Sequence, residues 1–279
     1  MRTSRRVLFV FVLMLTAVPV RAQQRPLVTE DPEPIGAGRI LIEGGGEYRI
    51  GEEYPVSGLQ GHLWRLPTLG VSFGISSTAE LQVDGGLYNR LSVKTRRPAP
   101  LSNLLDFTGD HTSDVEDLTI ATKIRVAAEK PGRPAIGLRF ATRLPNASNE
   151  SGLGLDTTDF YASMLIGKTV QSVRVVANAG LGILGEPTNG NSQNDAFTYG
   201  VSFARAVQEG VEIVGEINGR LEMREGVPPP GTESRGAFRV GARVTRGAVR
   251  FDGAIILGLT SPDTSFGFTA GLTWVFRAK

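Results

Sequence analysis

The chain contains no cysteine and only two histidines, His62 and His111. The first absence excludes a disulfide framework, a Cys-ligated zinc site and a lipidated N-terminal Cys. The second leaves little material for histidine-based catalysis or metal binding. Past the N-terminus no apolar run approaches the roughly 20 residues of a spanning helix, and no helical apolar stripe stands out. Lys and Arg never form a run, so nucleic acid is not an expected partner. Spacings that would hold a metal or cradle a phosphate are missing as well, and no cofactor is expected.

The basic balance of the whole chain, 30 Lys and Arg against 28 acids, is misleading. Arg2, Arg5 and Arg6 precede an apolar stretch from Val7 to Val18 that ends in Pro19-Val20-Arg21-Ala22, the pattern of a secretory signal peptide cleaved after Ala22. Without its four arginines the mature chain has 26 basic and 28 acidic residues, a charge of about 2 negative. Residues 23–38 then form a Pro-rich leader, read as periplasmic, and residues 39–279 remain for one large β domain. Glycine, at 35 of 279 residues, exceeds the average of about 7%. Its scatter through alternating segments suits strands and tight turns.

What is present in abundance is alternation. Leu118, Ile120, Thr122, Ile124 and Val126 alternate with Asp117, Thr119, Ala121, Lys123 and Arg125. After a reversal at Glu129-Lys130-Pro131-Gly132, Ile136, Leu138, Phe140, Thr142 and Leu144 alternate with Gly137, Arg139, Ala141 and Arg143. A period of two gives a strand one apolar and one charged face. Twelve such segments are predicted: 39–50, 65–76, 79–91, 115–128, 133–146, 155–169, 171–184, 196–207, 210–223, 235–245, 247–259 and 265–276. Their connections alternate between long and short without exception, the long ones being 51–64, 92–114, 147–154, 185–195, 224–234 and 260–264.

In an up-and-down meander every second connection lies at the same end. The pattern therefore predicts an all-β fold, an up-and-down antiparallel transmembrane β-barrel of about 12 strands with short periplasmic turns and longer external loops. A soluble sandwich shares the period of two but not the loop rhythm, and its strands are usually only about 5 or 6 residues long. Facing Lys123 or Arg139 to lipid would cost about 2 to 4 kcal/mol each at mid-depth, so the charged faces belong to the lumen. Trp64, Phe160, Phe197, Tyr199, Phe238 and Phe266 near the loop ends, and Trp274 with Phe276 near the turn ends, suit interfacial girdles. The ending GFTAGLTWVF is similar to the C-terminal strand by which outer-membrane barrels are recognised, which makes the barrel-assembly machinery an expected partner beside outer-membrane lipid.

The segments PLVTEDPEPIGAGRILIEGGGEY, VEDLTIATKIRV and PAIGLRFATRLP resemble the outer-membrane barrels of the phenol-degradation-pathway (MetA-pathway) transporter family. The shared features are a leader with a Thr-Asp/Glu-Asp core, a later strand with Asp-Leu and a lumen-side Lys, and a strand closing on Leu-Pro. Glu116 stands where the family has Gly before that Asp, and Asn146 where it commonly has a small hydroxyl residue. The resemblance implies a twelve-stranded, channel-like barrel in a Gram-negative outer membrane and leaves the substrate open.

The candidate solute-binding residues are the lumen-facing charges Lys123, Arg125, Arg139, Arg143, Arg174, Glu212, Glu216, Arg239, Arg243 and Arg250. Rings of Arg in a pore select anions or orient acidic solutes, whereas charges that pair across neighbouring strands only fill the interior. The expected function is passive diffusion of a small solute, anionic or aromatic. The alternative is a closed structural or adhesive barrel whose external loops bind a partner. Catalysis of the outer-membrane phospholipase kind needs a His, a Ser and an Asn on a strand's outer face. With His62 and His111 both read as loop residues, no enzyme is expected.

Overall fold

The computed structural model describes residues 25–277; the signal-peptide reading lies outside the described residues. Fourteen strand segments form a single antiparallel sheet. They are β1 (Arg39–Tyr54), β2 (Leu59–Gly74), β3 (Ala79–Gly86), β4 (Asn89–Arg96), β5 (His111–Asp114), β6 (Leu118–Ala127), β7 (Ala135–Leu144), β8 (Asp159–Val170), β9 (Val173–Gly185), β10 (Gln193–Gln208), β11 (Val211–Glu222), β12 (Arg235–Arg246), β13 (Val249–Gly258) and β14 (Phe266–Arg277). Strand β1 pairs with both β2 and β14, so the sheet closes on itself. Segments β3 and β4 are one strand broken at Leu87-Tyr88, and β5 and β6 one strand broken at 115–117. The result is a closed twelve-strand barrel. Closure satisfies every ladder and removes the sheet edges that a bilayer would not tolerate.

The alternation read in the sequence is realised side chain by side chain. In β6, Ile120, Ile124 and Val126 are exposed on the outer wall, while Ala121 and Lys123 are buried inside. The turn that joins β6 to β7 is a tight one in which Lys130 and Arg133 exchange backbone hydrogen bonds of 3.0 Å. Pro131 and Gly132 sit between them, and Gly132 supplies a φ of +76° that a side chain would strain. In β14, Phe266, Phe268, Leu272 and Trp274 all face outward. Tyr48, Trp64 and Phe268 pack on the outer wall, with Tyr48 and Trp64 ring centroids 4.5 Å apart, and Trp274 stacks on Phe276 at 4.4 Å.

Two of the predicted long loops are shorter than the sequence suggested. The stretch 51–64 is mostly strand, closed by a hairpin at 55–58, and 92–114 keeps strand to Arg96 and resumes it at His111. Gly51, Gly58 and Gly61 with the Glu52-Glu53 pair hide the alternation there. These arms rise past the apolar band and bury Leu59, Leu63, Leu91 and Val93 against Tyr54, Leu105, Phe107 and Leu153 in a small core on the barrel's inner side.

Candidate functional site

The leader lies inside the barrel. It crosses the turn-side half of the lumen and is held mainly by side chains of the inner wall. Arg25 contacts Thr68 at 3.1 Å, Thr269 at 3.0 Å and Asp252 at 3.5 Å. The backbone N–H groups of Val28 and Thr29 both donate to the Glu216 carboxylate at 2.8 Å. Asn178 pairs with the Glu30 backbone in both directions, accepting from its N–H at 2.7 Å and donating to its carbonyl at 2.8 Å. The Ile35 N–H donates to Glu80. Buried backbone polar groups must find partners, and a segment with three prolines has no strand neighbour to supply them. The inner wall supplies them instead.

The leader's three acids reach toward the basic cluster. Glu30 contacts Lys123 at 3.2 Å and Arg139 at 3.1 Å, Asp31 contacts Arg174 at 2.7 Å, and Glu33 pairs with Arg125. The Lys123 side chain is completely buried and also meets Glu80 at 2.9 Å. Burial pushes the Glu30 carboxyl up, but the positive charges of Lys123 and Arg139 outweigh it and hold the group below the ordinary carboxylate range.

The ten predicted residues thus divide by what they touch. Lys123, Arg125, Arg139, Arg174 and Glu216 hold the leader, and Arg243 donates to the Arg25 carbonyl at 2.8 Å. Arg250 approaches that carbonyl at 3.4 Å. Arg239 bonds Glu216 at 3.0 Å and Asn218 at 2.8 Å, and Glu212 lies 3.9 Å from Arg243. Arg143 stands apart toward the loops, 2.6 Å from Asp159 and 3.7 Å from Asp117.

Above the leader the lumen opens into three adjoining cavities. One of about 450 Å³ rests on Arg25 to Val28 and is lined by Glu47, Arg49, Arg65, Arg139 and Arg239. A second, of about 390 Å³, lies under the external loops among Tyr54, Arg143, Tyr161, Arg220 and Arg235. A third, of about 200 Å³, joins Arg49 to Arg235. Asn218 lines all three. Among the described residues Arg220 donates only to the loop carbonyls of Glu233 at 2.9 Å and Gly231 at 2.8 Å. Over this upper cavity the loops meet: a Cβ on Gly231, whose φ is +92°, would lie 2.8 Å from Val56 and 3.1 Å from Pro187.

Sequence reasoning passed over the leader as a ligand of the wall, and with it Glu30, Asp31, Glu80 and Asn178. The spacing of Glu30, Asp31 and Glu33 opposite a basic cluster was the available signal. The upper-cavity residues Arg220 and Arg235 were legible as inward positions by parity alone.

The placement of the histidines is corrected. His62 lies in β2 and His111 in β5, not in loops, and Ser92 on β4 stands in register between them. Among the described residues no hydrogen bond joins Ser92 to either imidazole, and none orients an imidazole with a carboxylate. No group of three or more metal-ligating side chains occurs among the described residues either.

No family model matches the chain, and no curated protein is similar to it in sequence. Solved structures do share its fold. An outer-membrane channel from Pseudomonas putida F1 is 13% identical with a TM-score of 0.64, over 88% of this chain and 98% of that one. The NanC porin is 9% identical with a TM-score of 0.55, over 84% of this chain and 98% of its own. The fold is that of the outer-membrane β-barrels.

Proposed function

We propose that the protein is an outer-membrane channel through which a small anionic or aromatic solute diffuses passively, with the leader as its inner constriction. The observation that carries this reading is the set of three adjoining, charge-lined cavities between the external loops and the leader. In this reading Arg143, Arg220 and Arg235, with Tyr54 and Tyr161, receive the solute. Arg139 and Arg239 pass it down, and Lys123, Arg125, Arg174, Glu216, Arg243 and Arg250 act through the leader. An Arg-lined wet lumen favours anions, and the two tyrosines offer ring faces to an aromatic solute. Two solved barrels of the same fold carry the names channel and porin, and the resemblance to phenol-degradation-pathway transporters points the same way. The signal peptide and the C-terminal strand pattern support export and insertion by the barrel-assembly machinery.

A closed structural barrel whose loops bind a partner is the second reading, favoured by the loops that meet at Gly231. Single-channel recording in planar bilayers separates the two. Discrete conductance steps that a panel of aromatic acids blocks in part support the channel, and a silent bilayer containing inserted, heat-modifiable protein supports the closed barrel.

A further inference from the structure

Inside the lumen most arginines meet an acid, but on one part of the outer wall the basic side chains do not. Trp64 on β2, Arg90 on β4 and Ser113 on β5 lie in register, and the next outward row toward the loops is His62, Ser92 and His111. The row between these two faces inward, with Leu63, Leu91 and Thr112 buried, which fixes the outward direction of its neighbours. Lys94 continues the same face past Ser92. Among the described residues neither Arg90 nor Lys94 has a hydrogen bond or an ion pair, and the outward positions of these three strands include no acid. The His62 Nδ1 is buried and lacks a partner.

Depth gives this patch its meaning. Trp and Tyr settle at the membrane interface, and Trp64 packs on Tyr48 there. Arg90 is therefore level with the headgroups and Lys94 lies just beyond. An unpaired guanidinium at this depth faces the anionic groups of the leaflet rather than protein, and its planar fork matches a phosphate in bidentate fashion. Ser92 and His111 add donors beside it. We propose that this face binds the phosphorylated headgroup of an outer-leaflet glycolipid, with Arg90 and Lys94 as its principal contacts. The proposal rests on the outer-membrane placement but not on channel activity.

Native mass spectrometry of the detergent-solubilised mature chain tests it, with bisphosphorylated lipid A and its dephosphorylated form as probes. The expected result is retention of the phosphorylated lipid alone, with affinity about tenfold or more weaker in the Arg90→Ala/Lys94→Ala variant. Arg90→Lys should recover part of that loss, and Arg246→Ala, at a turn end, should lose none. Heat-modifiable migration of each variant checks that the barrel is intact. Equal retention of both lipids, or unchanged affinity in an intact Arg90→Ala/Lys94→Ala barrel, overturns the proposal. Full displacement by millimolar inorganic phosphate overturns the lipid assignment in favour of a free-anion site.

Discussion

The turn-side and loop-side halves of the lumen use the same residue types to different ends. On the turn side, Lys123, Arg125, Arg139 and Arg174 each face an acid of the leader, which crosses the lumen there. On the loop side, Arg220 donates to the loop carbonyls of Glu233 and Gly231, Arg143 and Arg235 face acids of the wall and loops rather than of the leader, and a cavity of about 390 Å³ lies among them and two tyrosines. An arginine facing a leader carboxylate holds the leader, whereas in the proposed reading one beside the upper cavity meets the solute. Position relative to the leader, not residue type, separates the two groups, with Arg139 belonging to both.

The largest effect should come from removing residues 25–35. Conductance in planar bilayers is expected to rise severalfold while heat-modifiable migration persists, because the barrel ladders do not include the leader. Unchanged conductance would mean that the floor is no constriction. Next, Lys123→Met strands Glu80 and part of the Glu30 charge in a buried site, at about 3 to 5 kcal/mol. Urea unfolding in liposomes should read this loss, and Glu80→Met in the same chain should restore part of it.

A matched pair of charge reversals sharpens the contrast between the halves. Arg139→Glu places an acid against Glu30 and should raise conductance by loosening the leader. Arg143→Glu should shift ion preference toward cations with little change in conductance; identical effects would erase the distinction between the halves. The smallest effect concerns pH. Because the folded-state value of Glu30 is lowered, its contribution to docking is complete above the ordinary value of 4.5 and falls as pH drops through the lowered one. Protease protection of the leader should therefore hold from about pH 5 to 8. Release near pH 6 would contradict the pairing.

Much of this architecture is legible in the chain itself. Strands 235–246, 266–277 and 118–127 fall within a few residues of their predicted bounds, since alternation is a local property that each strand carries by itself. The tall arms of β1, β2 and β4 were harder to read. Their inner faces pack Leu59, Leu63 and Leu91 against loop residues, so apolar no longer means lipid-facing there. The strand positions of His62 and His111 were lost for the same reason.

Local sequence determined the period of two, the loop rhythm and hence which faces meet lipid, because burial on one side of a pleated strand depends only on parity. It could not say where the leader goes. Several inward glycines are room left for it: a Cβ on Gly200 would lie 2.8 Å from Thr29, on Gly167 3.0 Å from Pro32, and on Gly271 2.5 Å from Arg25. Those contacts join strands at opposite ends of the chain to one short segment, and only closure of the barrel brings them together. Which arginines hold the leader and which line the upper cavity was decided there, by the tertiary structure.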